Sequence, residues 1–171
     1  LNVCANFAFV WLAKEGHSGR ISINYLEKIA MPHIYAITGA MLAGVNCITM
    51  GAGIPYQIPG VITAILEGRT ASYKIPIEDT EEKTYEMRFN PTEFFGGKLP
   101  PMKRPDFFPI ISSVVLARRL LKLPEGSIQG FVVEEPIAGG HNAPPRNRVD
   151  YGEKDKVDYH ELKKIIRHAP Q

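Results

Sequence analysis

The stretch Ile34–Gly68, IYAITGAMLAGVNCITMGAGIPYQIPGVITAILEG, decides the class of fold. Ile34, Ile37, Met41 and Val45 recur at helical spacing. Asn46 to Met50 then reads as a short buried strand that ends in Gly51-Ala52-Gly53. Pro59 suits the first turn of a second helix, where a missing N–H costs nothing. Val61, Ile62 and Ile65 form the apolar face of that helix, and Gly68 is placed to end it. An apolar strand between amphipathic helices is the pattern of parallel strands joined by crossovers.

The pattern continues on both sides. Upstream, Val3, Phe7 and Val10 or Trp11 recur at helical spacing before a stop at Gly16, and Arg20–Leu26 is a short strand containing Ile21 and Ile23. Downstream, Thr70–Ile77 reads as a strand and Glu78–Lys83 as a charged turn. Asn90–Pro105 holds four prolines and Gly96-Gly97, and reads as a surface insertion within a single domain spanning residues 1–171. Phe107–Ile111 is a strand. Ser112 or Ser113 then caps a helix with Val114, Ala117 and Leu121 on one face, and Pro124-Glu125-Gly126 stops it. Ile128–Val133 is a further apolar strand. Asp158 and Glu161 form a capping pattern, with Val157 and Leu162 as a staple, for a last helix with Tyr159, Ile165 and Ile166 on its apolar stripe. The residues alone leave two architectures open, a doubly wound sheet or a (β/α)8 barrel. In both, function gathers at the C-terminal ends of the strands.

Composition narrows the function classes. The chain has 171 residues, 44% of them hydrophobic and 22% charged, with a formal charge of +2. A disordered chain would be less apolar and more strongly charged. No apolar run approaches the ~18 residues of a membrane helix, and the start has no signal-peptide pattern. The one basic cluster, Lys163, Lys164, Arg167 and His168, reads as a solvated helix face, so nucleic acid and membrane are not expected partners. Cys4 and Cys47 form no CxxC pair and read as buried small apolar residues in a reducing cytoplasm.

Three strand exits carry unusual residues. Asn24 lies in Ile23-Asn24-Tyr25, where it serves a flavin, a nucleotide or its own turn. Gly51 and Gly53 either admit a ligand against backbone amides or make a tight turn. The third exit runs from Glu134 to Arg146. In it, Gly139-Gly140 leave room for a flat ligand, and His141 follows as a group able to move a proton near neutral pH. Zinc spacing, a nucleophile elbow and a phosphate loop of the GxxxxGK type are all absent from the sequence. His17 reads as a capping or surface residue after a helix stop, and His33, His160 and His168 as structural or solvated.

Taken in order, Ala5-Asn6-Phe7, Leu12 to His17, Ile23 to Ile29, Gly39 to Val45, Met50 to Pro55, Ile110 to Ser113, Gly130 to Glu134 and Ala138-Gly139-Gly140-His141-Asn142-Ala143-Pro144-Pro145-Arg146 resemble the nitronate monooxygenase family. These are the 2-nitropropane dioxygenase-like flavoproteins, and the GGHNAPPR form is similar to one subgroup. The resemblance implies a (β/α)8 TIM barrel with FMN at its C-terminal mouth. Asn24, Gly139 and Gly140 would contact FMN, and His141 would be the catalytic base or substrate-orienting group. A nitroalkane or nitronate would be the substrate and dioxygen the oxidant. Glu135 and Asn147 depart from the subgroup, which usually has Gly at both positions.

The barrel implied is incomplete. The reading gives about five strands of eight, in a chain shorter than the ~250 residues such barrels take. The start without Met, and an end before the turns that would hold the FMN phosphate, lead to the same expectation. An FMN-dependent enoyl reductase-like enzyme is the alternative within enzymes, and a truncated or degenerate fragment without activity is the alternative outside them. The oligomeric state stays open.

Overall fold

A computed structural model describes residues 1–77 and 84–134. The chain is mixed α/β. A mostly parallel four-stranded sheet is accompanied by helices and by a separate two-stranded ribbon. In chain order the elements are α1 (Asn2–Ala13), β1 (Ser22–Leu26), α2 (His33–Leu42), β2 (Cys47–Gly51), α3 (Ile58–Leu66), β3 (Ala71–Pro76), β4 (Thr84–Phe89), α4 (Pro91–Phe94), β5 (Asp106–Ile111), α5 (Val114–Leu120) and β6 (Val132–Val133).

The four-stranded sheet runs β1-β2-β5-β6, so spatial order follows chain order among the described strands. Asn46 N–H donates to the Ile21 carbonyl at the start of β1, and Glu27 N–H donates to the Gly51 carbonyl at its end. Both strands advance in the same direction between these bonds, which makes the pair parallel. β5 and β6 are also parallel, with Ile110 opposite Val132 and Ile111 opposite Val133.

Contacts group the residues into two units, and β1, β2 and β5 each begin in one and end in the other. The first unit holds α1 to α4, the ribbon and the strand starts. Its core is the face of α2 expected from the sequence: Ile34, Ile37 and Met41 are fully buried, with Val45 just beyond the helix. α1 packs on α2 through Val3 and Val10, two turns apart. Gly39 makes the approach possible, since a Cβ there would strike the Val3 carbonyl. The other faces of α1 stay open, with Phe9, Trp11 and Leu12 all exposed. Gly68 stops α3 as expected. Its φ is +68°, and the Gly68 and Arg69 N–H groups return to the carbonyls of Ile65 and Ala64, closing a Schellman turn.

Hydrogen bonds at the strand starts tie this unit together. The Asn46 side-chain oxygen accepts from Ile21 N–H at 2.9 Å, and Lys14 Nζ reaches the Gly44 carbonyl at 2.7 Å. Arg20 pairs with Asp106 and touches Cys47 Sγ at 3.3 Å. The carboxylate hydrogen bond raises the Arg20 guanidinium above its ordinary value. In α/β architectures this end of the strands serves stability.

Four expectations need correction. The Thr70–Ile77 strand exists as β3, but it pairs antiparallel with β4, which the sequence reading missed. The register runs from Ala71–Phe89 to Pro76–Thr84. The charged turn at residues 78–83 lies outside the described residues. The Asn90–Pro105 segment is more than a loop: the Asn90 side chain caps α4 by accepting from Glu93 N–H, and Thr92 Oγ1 donates to the Gly68 carbonyl at 2.8 Å. Ile128–Val133 shortens to the two residues of β6. Gln129 is the reason. Gln129 N–H still donates to the Phe107 carbonyl at 3.1 Å, but the Gln129 side-chain oxygen accepts from Phe107 N–H at 2.7 Å while its amide donates to the Gly126 carbonyl, so a side chain replaces one backbone acceptor of the ladder there. Finally, Cys4 is exposed rather than buried, because α1 buries only one narrow line.

Candidate functional site

The second unit holds the C-terminal ends of β1, β2 and β5 with α5 and β6. Side chains alternate across the sheet. One face carries Ile111 and Val133, which pack on Ala117 and Leu120 of α5 with Val114 and Leu116. Ser113 fixes the start of α5 by accepting from Leu116 N–H. The opposite face carries Phe108 and Ile110 from β5, both half-buried, and Val132, which is 41% exposed. Thus α5 covers one face, while the other face is open in part.

Asn24 and Thr49 are neighbours across β1 and β2. Thr49 Oγ1 donates to Asn24 Oδ1 at 3.1 Å. That bond occupies the amide oxygen of an exposed Asn24 and leaves its N–H₂ to donate elsewhere. Next along β2, Gly51 lies against Ile110, whose Cβ and Cδ1 would come within 3.0 Å of any added side-chain carbon. A Cβ at Gly53 would collide with the Glu27 carboxylate. Ala52 between them has φ 55°, a left-handed conformation that costs an L-residue about 1–2 kcal/mol. The Gly51-Ala52-Gly53 exit is therefore a tight turn, and its spare volume is filled by protein side chains.

Tyr25 points to the face opposite Asn24, and burial pushes its hydroxyl well above the ordinary value of 10.0. It stays neutral at any physiological pH.

Of the residues singled out in the sequence, Asn24 is the middle residue of β1 (Ser22–Leu26) and not at its end, because the strand runs on through Tyr25 and Leu26. Gly139, Gly140 and His141 lie outside the described residues, as do Glu135, Asn147, the helix expected after Asp158, and His160 and His168. His17 is a capping residue: its Nδ1 accepts from Gly19 N–H, so Nε2 carries the proton and donates to the Ala13 carbonyl at 2.7 Å. His33 is buried, with its ring edge-on to Tyr73 at 5.6 Å. Thr49 was missed, although a lone polar residue inside an apolar strand, level with Asn24, was the available signal. Among the described residues, no group of His, Cys, Asp or Glu is arranged to hold a metal ion, and no helix is long and apolar enough to cross a membrane.

No family model matches the chain, and no curated protein or solved structure matches it.

Proposed function

We propose that the chain is an FMN-dependent oxidoreductase of the nitronate monooxygenase type, formed on part of a (β/α)8 barrel. The observation that carries this reading is the Thr49–Asn24 pair midway along β2 and β1, on the sheet face that α5 leaves uncovered. Two further features support the barrel over a doubly wound sheet. Among the described strands, order follows chain order without reversal, and right-handed crossovers would then put the connecting helices on one face. A doubly wound sheet reverses order and covers both faces.

Asn24 fits the flavin. Its oxygen is held by Thr49, so its N–H₂ is oriented toward an acceptor such as a ring carbonyl. Gly51 and Gly53 do not offer a second cradle, because Ile110 and Glu27 fill it. Bound FMN would supply the redox chemistry. The chain's own contribution is orientation by Asn24, flat packing against Gly139 and Gly140, and removal of the α-proton of a neutral nitroalkane by His141. Dioxygen is the oxidant.

Reconstitution of the full chain with FMN tests the reading. A flavin absorbance band retained after desalting, with nitroalkane-dependent oxygen uptake, is expected. His141→Ala should remove activity on neutral nitroalkane and leave activity on preformed nitronate. A chain that retains no FMN overturns the proposal. Rapid anaerobic flavin reduction by NAD(P)H would favour the enoyl reductase-like chemistry in its place.

A further inference from the structure

We propose that the groove between Tyr56 and α5 binds a phosphate monoester of nucleotide size, at a site distinct from the strand ends. The groove has a volume of about 590 Å³ and is lined by Tyr56, Val115, Arg118, Arg119 and Lys122. That volume lies within the range of small-ligand sites.

Three cations and no carboxylate line it among the described residues. Val115, Arg118, Arg119 and Lys122 follow helical spacing, so α5 and its final turn present them as one stripe. The opposite stripe, Ala117 and Leu120, is the buried one. Among the described residues Arg119 is held by an aromatic face and not by an acid, with its Cζ 5.8 Å from the centre of the Tyr56 ring. A π face orients a guanidinium without neutralising its charge, and the planar fork remains suited to bidentate oxyanion binding. Lys122 follows at i+3, with no hydrogen bond or ion pair from its ammonium among the described residues.

Cations near a helix C-terminus complement its partial charge, but that charge is only about half a unit. The charges of Arg119 and Lys122 together exceed it. An oxyanion held between Arg119 and Lys122 removes that excess. Val115, 77% exposed, supplies an apolar wall for the body of the ligand.

Calorimetric titration of the full chain at low ionic strength tests the site, with AMP, ribose 5-phosphate and inorganic phosphate as probes and adenosine as the uncharged control. AMP is expected to bind and adenosine not to bind. Ribose 5-phosphate binding as tightly as AMP would identify a sugar phosphate as the ligand, and weaker binding a nucleotide. Arg119→Ala combined with Lys122→Ala should weaken AMP by about tenfold or more, with an unchanged circular dichroism spectrum. If that variant unfolds, salt decides: the wild-type affinity for AMP must fall as KCl rises. Four results would overturn the proposal: unchanged affinity in the double variant, salt-independent binding, adenosine binding as well as AMP, or a response to oligonucleotide alone. Displacement of AMP by stoichiometric FMN would move the phosphate to the flavin site and overturn it equally.

Discussion

Thr49 Oγ1 donates to Asn24 Oδ1 across 3.1 Å, joining two adjacent parallel strands by their only polar side chains at that level. The bond sets the direction of the Asn24 amide. Thr49→Val should keep the fold, because the two side chains are nearly isosteric, and weaken FMN retention. A single hydrogen bond of this kind contributes about 1 kcal/mol, or roughly fivefold in affinity. Fluorescence titration with FMN is the measurement. Equal affinity in Thr49→Val would show that Asn24 needs no partner.

Two glycines in the first unit should respond oppositely to alanine. Gly39→Ala drives a methyl into the Val3 carbonyl, which is backbone and cannot rotate away. A loss of about 2 kcal/mol or more is expected, since α1 must lift from α2. Gly60 in α3 is exposed and has nothing within 4 Å of its missing Cβ. Gly60→Ala should stabilise by about 0.5–1 kcal/mol. Urea unfolding of both variants checks the contrast.

Alkaline pH should destabilise the chain through Tyr25. Burial raises its folded-state value above the ordinary 10.0. The unfolded chain then loses the phenolic proton first, so stability is fully present below pH ~10 and falls as pH rises beyond it. Tyr25→Phe should flatten this part of the profile. Identical slopes in the two proteins between about pH 10 and 12 would refute the assignment.

Ser113 accepts from Leu116 N–H at 3.3 Å and is the side-chain cap of α5. Ser113→Ala should cost about 1 kcal/mol. Ser113→Asp should recover most of it, as aspartate caps equally well. Thermal melting of the three proteins distinguishes a capping role from a packing role.

Elements set by strong local rules were legible in the sequence. The α2 face of Ile34, Ile37 and Met41, Pro59 at the start of α3, Gly68 at its end and Ser113 before α5 all follow from periodicity or capping. Features decided between segments were not. β4 carries Glu86 and Arg88, whose polarity hides a strand that only pairing with β3 explains. Gln129 sits in an apolar run, and its side-chain oxygen replaces one backbone acceptor opposite Phe107, which no period reveals. At the site, Asn24 was legible as a polar residue in an apolar strand but was placed at the end and not the middle of β1, whereas its partner Thr49 required the register of β1 on β2. The stripe at Arg118, Arg119 and Lys122 was overshadowed by the longer basic run near the C-terminus, and only the groove beside Tyr56 gives it meaning.

The ribbon inserted between β2 and β5 has a kinetic consequence. β1 and β2 first meet through Ile21 and Asn46, a separation of 25 residues, whereas β2 and β5 first meet through Asn46 and Asp106, a separation of 60. Loop closure across the longer span costs about 0.8 kcal/mol more in chain entropy. Pairing of β3 with β4 shortens the effective loop, so the antiparallel detour offsets part of the closure entropy between β2 and β5.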